Sequence, residues 1–435
     1  MSREPRAPIR IPYVRNFLLI LVLEGLWAFG TWLAHPMTVM PQFVLRLGGT
    51  PSWVGALSSL WAVGTGFGAV MIGVVAAHRI WLARWTGWLH FVAIIPWPLL
   101  ILITLAVDAG TLAPRTALIL TLANLLVFNL MLGTLVQLYF VILARSLPER
   151  GRGLWFGGIF AASSLVGAFA PWVASRWFIG ERAELVDYAR IFAASTLCFV
   201  LGTIPFFFLR ERPGAAEPKR TLRDNVGRLL HHWRSRSPLR RYLTLRFVLE
   251  LGALSAGFAA TYAREEARLS EHRVTQFGIL VVASEAVASI VFGWLSRRFE
   301  RGGWGARGGF LRAQAVAQGI SYAALGYAAA GPAGPAAVCL ILAIGVRVCA
   351  DFVLHSNILL HLGGPRARLD AMALGSVTLM PASILVQYGG GWAIELFGHR
   401  PVFAVAVLAA LPALRGLWRL GGGTLPPVGS RGVLN

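Results

Sequence analysis

The sequence predicts an all-helical membrane protein: twelve transmembrane helices in two pseudo-symmetric six-helix bundles. Three observations carry that prediction. First, the 435 residues are 56% hydrophobic and 14% charged, with a mean hydropathy of +0.65, whereas an average soluble domain carries about 25% charge. Second, apolar runs of the ~20 residues needed to cross a bilayer core recur along the whole chain. Third, the polar stretches between them alternate in Arg and Lys content. The formal net charge of +21 does not indicate a nucleic-acid partner, because the basic residues lie between apolar runs and follow a membrane rule.

The spans fall at roughly 14–37, 53–77, 82–106, 116–143, 154–176, 188–209, 240–262, 275–296, 310–330, 336–361, 369–391 and 400–418. Alternate loops and both tails hold about 29 of the 40 basic residues, which puts both termini on the cytoplasmic side of an inner (plasma) membrane. The basic N-terminus runs into an apolar stretch with no small-residue cleavage site, so it reads as an uncleaved first span.

Taken in order, the first span carries Glu24, Thr31 and His35 at helical spacing, flanked by Trp27 and Trp32. The second holds Gly64, Gly68 and Gly73, a pattern for close helix packing. The third has no acidic residue, and Trp81, Trp85 and Trp88 fit interface anchors at its start. The fourth presents Asn129, Gly133 and Gln137 on one face. The fifth and sixth carry no membrane-depth carboxylate. A long polar segment follows, and its amphipathic middle, Leu222 to Trp233, reads either as a charged connector or as a short helix on an anionic membrane face.

The seventh span carries Arg246 and Glu250, the eighth Glu285, and the tenth Arg347, Asp351 and His355, four apart on one face. Charged side chains at membrane depth cost about 2.5–3.5 kcal/mol each on insertion scales, so they mark a polar interior. A rise of ~1.5 Å per residue places Glu24 and Glu250 about 15 Å deep, near the middle of a ~30 Å core. Arg246–Glu250 and Arg347–Asp351 are natural i,i+4 partners. Pairing across a cavity, with Arg347 serving Glu250 or Glu24, is the alternative. Cys198, Cys339 and Cys349 fall within spans and form no metal-type pair. No metal cluster, phosphate loop or nucleophile–base arrangement is visible, so no catalytic residue, cofactor or metal is assigned.

An internal repeat divides the chain. Arg15 to Gly25 (RNFLLILVLEG) matches Arg241 to Leu251 (RYLTLRFVLEL), superposing Glu24 on Glu250 and Ile20 on Arg246. Weaker matches follow in the same order. The implied units are 1–209 and 240–420, joined by a linker at 210–239 and followed by a tail at 421–435. Parallel six-span repeats imply two bundles around a central cavity.

On these residues the chain resembles the major facilitator superfamily. GWLSRRFERGG (Gly293 to Gly303) is similar to the family's Gly-x-x-x-Asp-Arg-x-Gly-Arg loop, with Arg297 at the acidic position; Arg298 follows it. The first-half copy, GVVAAHRIW, has Ala77 there and keeps a basic residue, Arg79. PERGR, with Arg150 and Arg152, matches the turn after the fourth span. The opening run resembles a group of bacterial permeases of this superfamily, while GAFAPW in span five departs from the Gly-Pro signature of drug antiporters.

The resemblance implies that spans one, four, seven and ten line the cavity and three, six, nine and twelve lie at the periphery. It also implies a monomeric permease moving a small-molecule substrate by alternating access, with the lipid bilayer as its surroundings. Proton coupling through Glu24 or Glu250 is the most concrete mechanism. Export of hydrophobic or cationic compounds, with Glu24, Trp27 and Trp32 as the binding surface, uptake of an organic anion gripped by Arg347, and a non-transporting scaffold or sensor are its rivals.

Overall fold

The computed structural model describes residues 12–76, 79–148, 152–180, 183–213, 221–235, 237–301, 304–363 and 368–422. Seventeen α-helices account for nearly all of them. The first set is α1 (Tyr13–Leu33), α2 (Val39–Arg46), α3 (Pro51–Ala76), α4 (Ala83–Ile94), α5 (Pro96–Asp108), α6 (Pro114–Ser146), α7 (Arg152–Val173) and α8 (Leu185–Thr203). A short helix, α9 (Leu222–Ser235), lies between the sets. The second set is α10 (Ser237–Leu249), α11 (Leu254–Glu265), α12 (Glu271–Arg301), α13 (Trp304–Ala330), α14 (Ala333–Cys349), α15 (Ser356–Gly363), α16 (Arg368–Phe397) and α17 (His399–Leu420).

Ten segments are long and apolar enough to cross a membrane, fewer than the twelve expected among the described residues. Two further long helices, α7 and α13, of 22 and 27 residues, stand where the fifth and ninth spans are expected. Large apolar side chains such as Leu102, Ile290 and Leu408 point outward, as they do when lipid is the solvent.

Four predicted elements differ in detail. The loop after the first span contains α2, whose Val39, Met40, Phe43 and Val44 are buried. The third span is two helices, because Pro96 and Pro98 lack the N–H groups that continue a ladder; Asn124 of α6 donates to the Pro96 carbonyl at 2.6 Å. The seventh span breaks into α10 and α11 at a 3₁₀ turn, Glu250–Ala253. The tenth breaks into α14 and α15 at a π-helical segment, Ala350–His355. Irregular turns within spanning helices survive where side chains satisfy the freed backbone groups.

Close packing follows the glycines. A Cβ on Gly133 of α6 would overlap the Gly64 carbonyl of α3, and one on Gly68 would overlap the backbone at Gly133. The two helices therefore touch backbone to backbone, as small-residue stripes allow. In the same way α3 meets α16, with Gly55 against the Gln387 backbone and Gly391 against Pro51.

With one crossing per span, the start of α1 and the end of α17 share one face of the molecule, here the near face, and the opposite ends form the far face. At the far face four hydrogen bonds join the first set to the second, and Thr50 also bonds the Glu395 carboxylate. The four are Gln42 Nε2 to Thr275 Oγ1 at 3.2 Å, Ser52 N to Glu395 Oε1 at 2.7 Å, Tyr188 OH to Glu271 Oε2 at 3.0 Å, and His272 Nδ1 with the Ile179 carbonyl at 3.0 Å.

Candidate functional site

The two helix breaks in the second set face each other and bring four charges together. The 3₁₀ turn starts at Glu250, one residue after α10 ends, and the π segment begins one residue before Asp351. Arg347 Nη2 lies 2.9 Å from Glu250 Oε2, and Arg246 Nη2 lies 2.8 Å from Asp351 Oδ1. The within-helix separations are longer: 3.6 Å for Arg246–Glu250 and 3.9 Å for Arg347–Asp351. Both arrangements the sequence left open are thus present, but the short contacts run between helices. Two guanidiniums and two carboxylates make the group electrically balanced, the condition under which buried charge persists.

Neighbouring helices complete the shell. Ser383 of α16 donates to Glu250 Oε1 at 2.7 Å. On α13, Gln318 accepts from Arg347 at 2.9 Å, and Gln314 donates to Asp351 Oδ1 at 3.3 Å. Tyr322 bridges the break itself: its hydroxyl accepts from the Gly252 N–H and donates to the Leu249 carbonyl, each at 2.9 Å. It satisfies backbone groups that the 3₁₀ turn leaves outside the α ladder. Beside the group, the Tyr242 hydroxyl and His355 Nδ1 share a 2.6 Å hydrogen bond. Arg246, Glu250 and Arg347 are buried, whereas the Asp351 side chain is 32% exposed. Asp351 is therefore the member of the group most open to its surroundings.

The four charges belong to the second set. Their partners come from α10, α13, α14, the π segment and α16, all in the second set. The ninth span, expected at the periphery, supplies three of the polar groups. Gln314, Gln318 and Tyr322 recur every four residues along one face of an apolar helix, which is the signal that would have found them.

Glu24 stands apart, halfway along α1, with Tyr139 of α6 as its polar neighbour. Among the described residues no basic group lies within salt-bridge distance of it. Trp27 packs within the first set, donating to Thr203 at 3.3 Å and meeting His90 and Phe199 edge-on and tilted. That packing turns it away from a shared binding surface. Thr31 is exposed. Asn129 donates to the Leu125 carbonyl of its own helix at 2.8 Å, and Gln137 is half-buried on the same helix. Glu285, on α12, has a buried oxygen without a partner.

At the near face, Arg79 stacks on Trp85 at 3.9 Å and Arg298 lies over Trp294 at 5.6 Å. Arg150 and the side chains of Arg152 and Arg297 lie outside the described residues. Glu211, following the sixth span, accepts from the Leu82 and Ala83 N–H groups at 2.5 and 2.7 Å. Arg145 is 3.8 Å away and donates to the Ile80 carbonyl at 3.0 Å.

No protein-family model and no curated protein matches the sequence. Solved structures do. The nucleoside transporter NupG superposes with a TM-score of 0.66 at 15% identity, covering 94% of this chain and 100% of that one. The xylose transporter XylE from E. coli, in a partially occluded inward-open conformation, gives 0.64 at 14%, covering 93% and 98%. A bacterial homologue of the iron transporter ferroportin, inward-facing, gives 0.61 at 18%, covering 94% and 99%. At such identities the likeness is one of fold, and it spans almost the whole of each chain: this protein has the major facilitator fold.

Proposed function

We propose that the chain is a secondary active transporter that moves a small solute across a membrane by alternating access, with both termini cytoplasmic. The observation that carries the reading is the balanced four-charge group at two facing helix breaks, inside a fold whose solved examples are transporters. Broken helices with ionisable side chains at mid-membrane are how such folds build a polar site in an apolar medium. The far face, joined by four hydrogen bonds, is the closed end, and the near face is the end from which solute enters or leaves.

Proton coupling falls to Glu24 in this reading. Its repeat partner Glu250 is held by two arginines and a serine. Glu24 has no such partner, so it is the carboxyl free to take a proton from one side and lose it on the other. Arg347 is already engaged by Glu250 and Gln318, which weighs against a free anion clamp.

The test begins with a thermal-shift screen of the purified protein against metabolites, since a ligand that binds the native state raises its apparent stability. Flux of the hit is then measured in proteoliposomes under an imposed pH gradient. Glu24→Gln should keep the folded protein and its ligand-induced shift while losing pH-driven accumulation. Undiminished accumulation in that variant would sink the coupling assignment.

A further inference from the structure

We propose that α9 is an anionic-lipid-binding strap lying across the near ends of the two halves. Placed on a helical wheel at 100° per residue, its side chains sort into three arcs. One arc is docked. Asn225 Nδ2 donates to the Val70 carbonyl of α3 at 3.2 Å, Arg228 pairs with Asp370 of α16 at 2.7 Å, His232 lies 2.9 Å from the same carboxylate, and Leu229 is buried. This arc touches both the first set and the second.

The next arc is apolar and, apart from the half-buried Trp233, uncovered. Leu222, Val226 and Leu230 follow one another at i, i+4 and i+8, and they are 52%, 40% and 51% exposed. An open stripe of this kind on a helix needs a cover. Arg223 and Arg234, both exposed, flank the stripe on its free side, and His231 and Asp224 face further round. Apolar, then cationic, then mixed polar is the order a helix shows when it lies in the headgroup layer of an anionic membrane.

Depth agrees with that placement. Asn225 meets α3 six residues before its last described residue, and Arg228 and His232 meet Asp370 two residues into α16, so α9 lies against the near ends of the spans. A helix at that level, with its apolar stripe exposed, meets the boundary between acyl chains and headgroups. Phospholipid with an acidic headgroup is the occupant that matches both the stripe and its two arginines.

The test uses the full chain in vesicles of phosphatidylcholine alone or with a third phosphatidylglycerol. Nitroxide labels are placed at Val226→Cys and His231→Cys after Cys198, Cys339 and Cys349 are changed to Ser. In the mixed vesicles Val226 should collide with oxygen and be shielded from a water-soluble nickel chelate, while His231 shows the reverse. Hydrogen exchange on the unmodified protein gives the same answer without any substitution: amides across 226–230 should exchange several-fold more slowly in the mixed vesicles. Arg223→Gln with Arg234→Gln should remove the difference between vesicle types. Equal chelate access at both labels would overturn the proposal. So would spin–spin broadening between Val226 labels, which would mean a second copy covers the face, or insertion indifferent to lipid charge and to the two arginines.

Discussion

At the residue scale, the stability of the second half turns on groups that are buried and mutually dependent. Glu250 accepts from Arg347 and Ser383 and lies near Arg246. Glu250→Gln removes one of two negative charges facing two buried guanidiniums. Breaking a buried pair by removing one partner costs about 3–5 kcal/mol, so this variant should lose expression and unfold at a clearly lower temperature in detergent, whereas Glu24→Gln should not. Tyr322→Phe isolates a different term. It keeps the ring and strands the Gly252 N–H and the Leu249 carbonyl, both satisfied by that hydroxyl. Each unsatisfied buried group costs about 1–3 kcal/mol. The melting temperature of Tyr322→Phe should fall without any change in the four charges, and an unchanged value would mean that water replaces the hydroxyl.

Glu211 responds to pH in a way that follows from its surroundings. Burial pushes its carboxyl above the ordinary value of 4.5, and this outweighs the Ala83 and Leu82 amides and Arg145, which pull it down. A raised native pKa means that its contribution to stability is full below the unfolded value and is lost as pH rises through the native one. Glu211→Gln keeps an acceptor for the two N–H groups without the charge. It should therefore gain on the wild type as pH rises from about 4 to 7, read as the difference between their melting temperatures. A difference that stays flat over that range would show that the charge is not under strain there.

At the scale of elements, α9 carries its own start signal. Thr221 accepts from the Asp224 N–H at 3.2 Å, and Asp224 accepts from Thr221 N and Oγ1 at 3.1 and 2.7 Å. These bonds hold the Asp224 carboxyl below its ordinary range, so its help is present above about pH 4 and fades as pH falls through the lowered value. Losing a Thr cap costs about 1 kcal/mol; Thr221→Ala should speed amide exchange in the first turn of α9 by about fivefold. Helix existence was legible because apolar length and Arg asymmetry are local signals. The breaks at Ile95, Glu250 and Ala350 were only half legible. Pro96 and Pro98 announce the first, whereas nothing in ELGA or ADFVLH forbids a continuous helix, and it is Tyr322 on another helix that makes the Glu250 turn affordable.

The site divides along the same line. The i,i+4 spacing of Arg246 with Glu250 and of Arg347 with Asp351 showed which residues face inward, and the structure places all four together. Which charge would meet which depended on the distance between α10 and the π segment, and a pattern within one helix holds no such information. Trp27 illustrates the opposite error. Next to Glu24 it suggested a binding surface, but its orientation was decided by Thr203, His90 and Phe199, remote in sequence.

At the scale of the molecule, the two sets of helices hold each other unequally. Hydrogen bonds between them gather at the far face, while at the near face α9 bridges them through Asn225 and through Arg228 with Asp370. Under the proposed alternating access, the far bonds break together when that face opens. Two of the four end on carboxylates, Glu271 and Glu395, and hydrogen bonds to charged groups contribute about 1.5–3 kcal/mol each. Tyr188→Phe with Glu395→Gln therefore removes or weakens enough to shift a two-state balance by about tenfold or more, since 1.4 kcal/mol is a factor of ten. Spin labels at Thr111→Cys, after α5, and Gly334→Cys, at the start of α14, both exposed at the far face, should show a longer separation growing in the double variant. Asp370→Asn, which loosens only the near-face strap, should leave that far-face distribution closed. If the double variant keeps the wild-type distances, the α3–α16 backbone contact at Gly55 and Gly391 closes the far face on its own, and the hydrogen bonds merely decorate it.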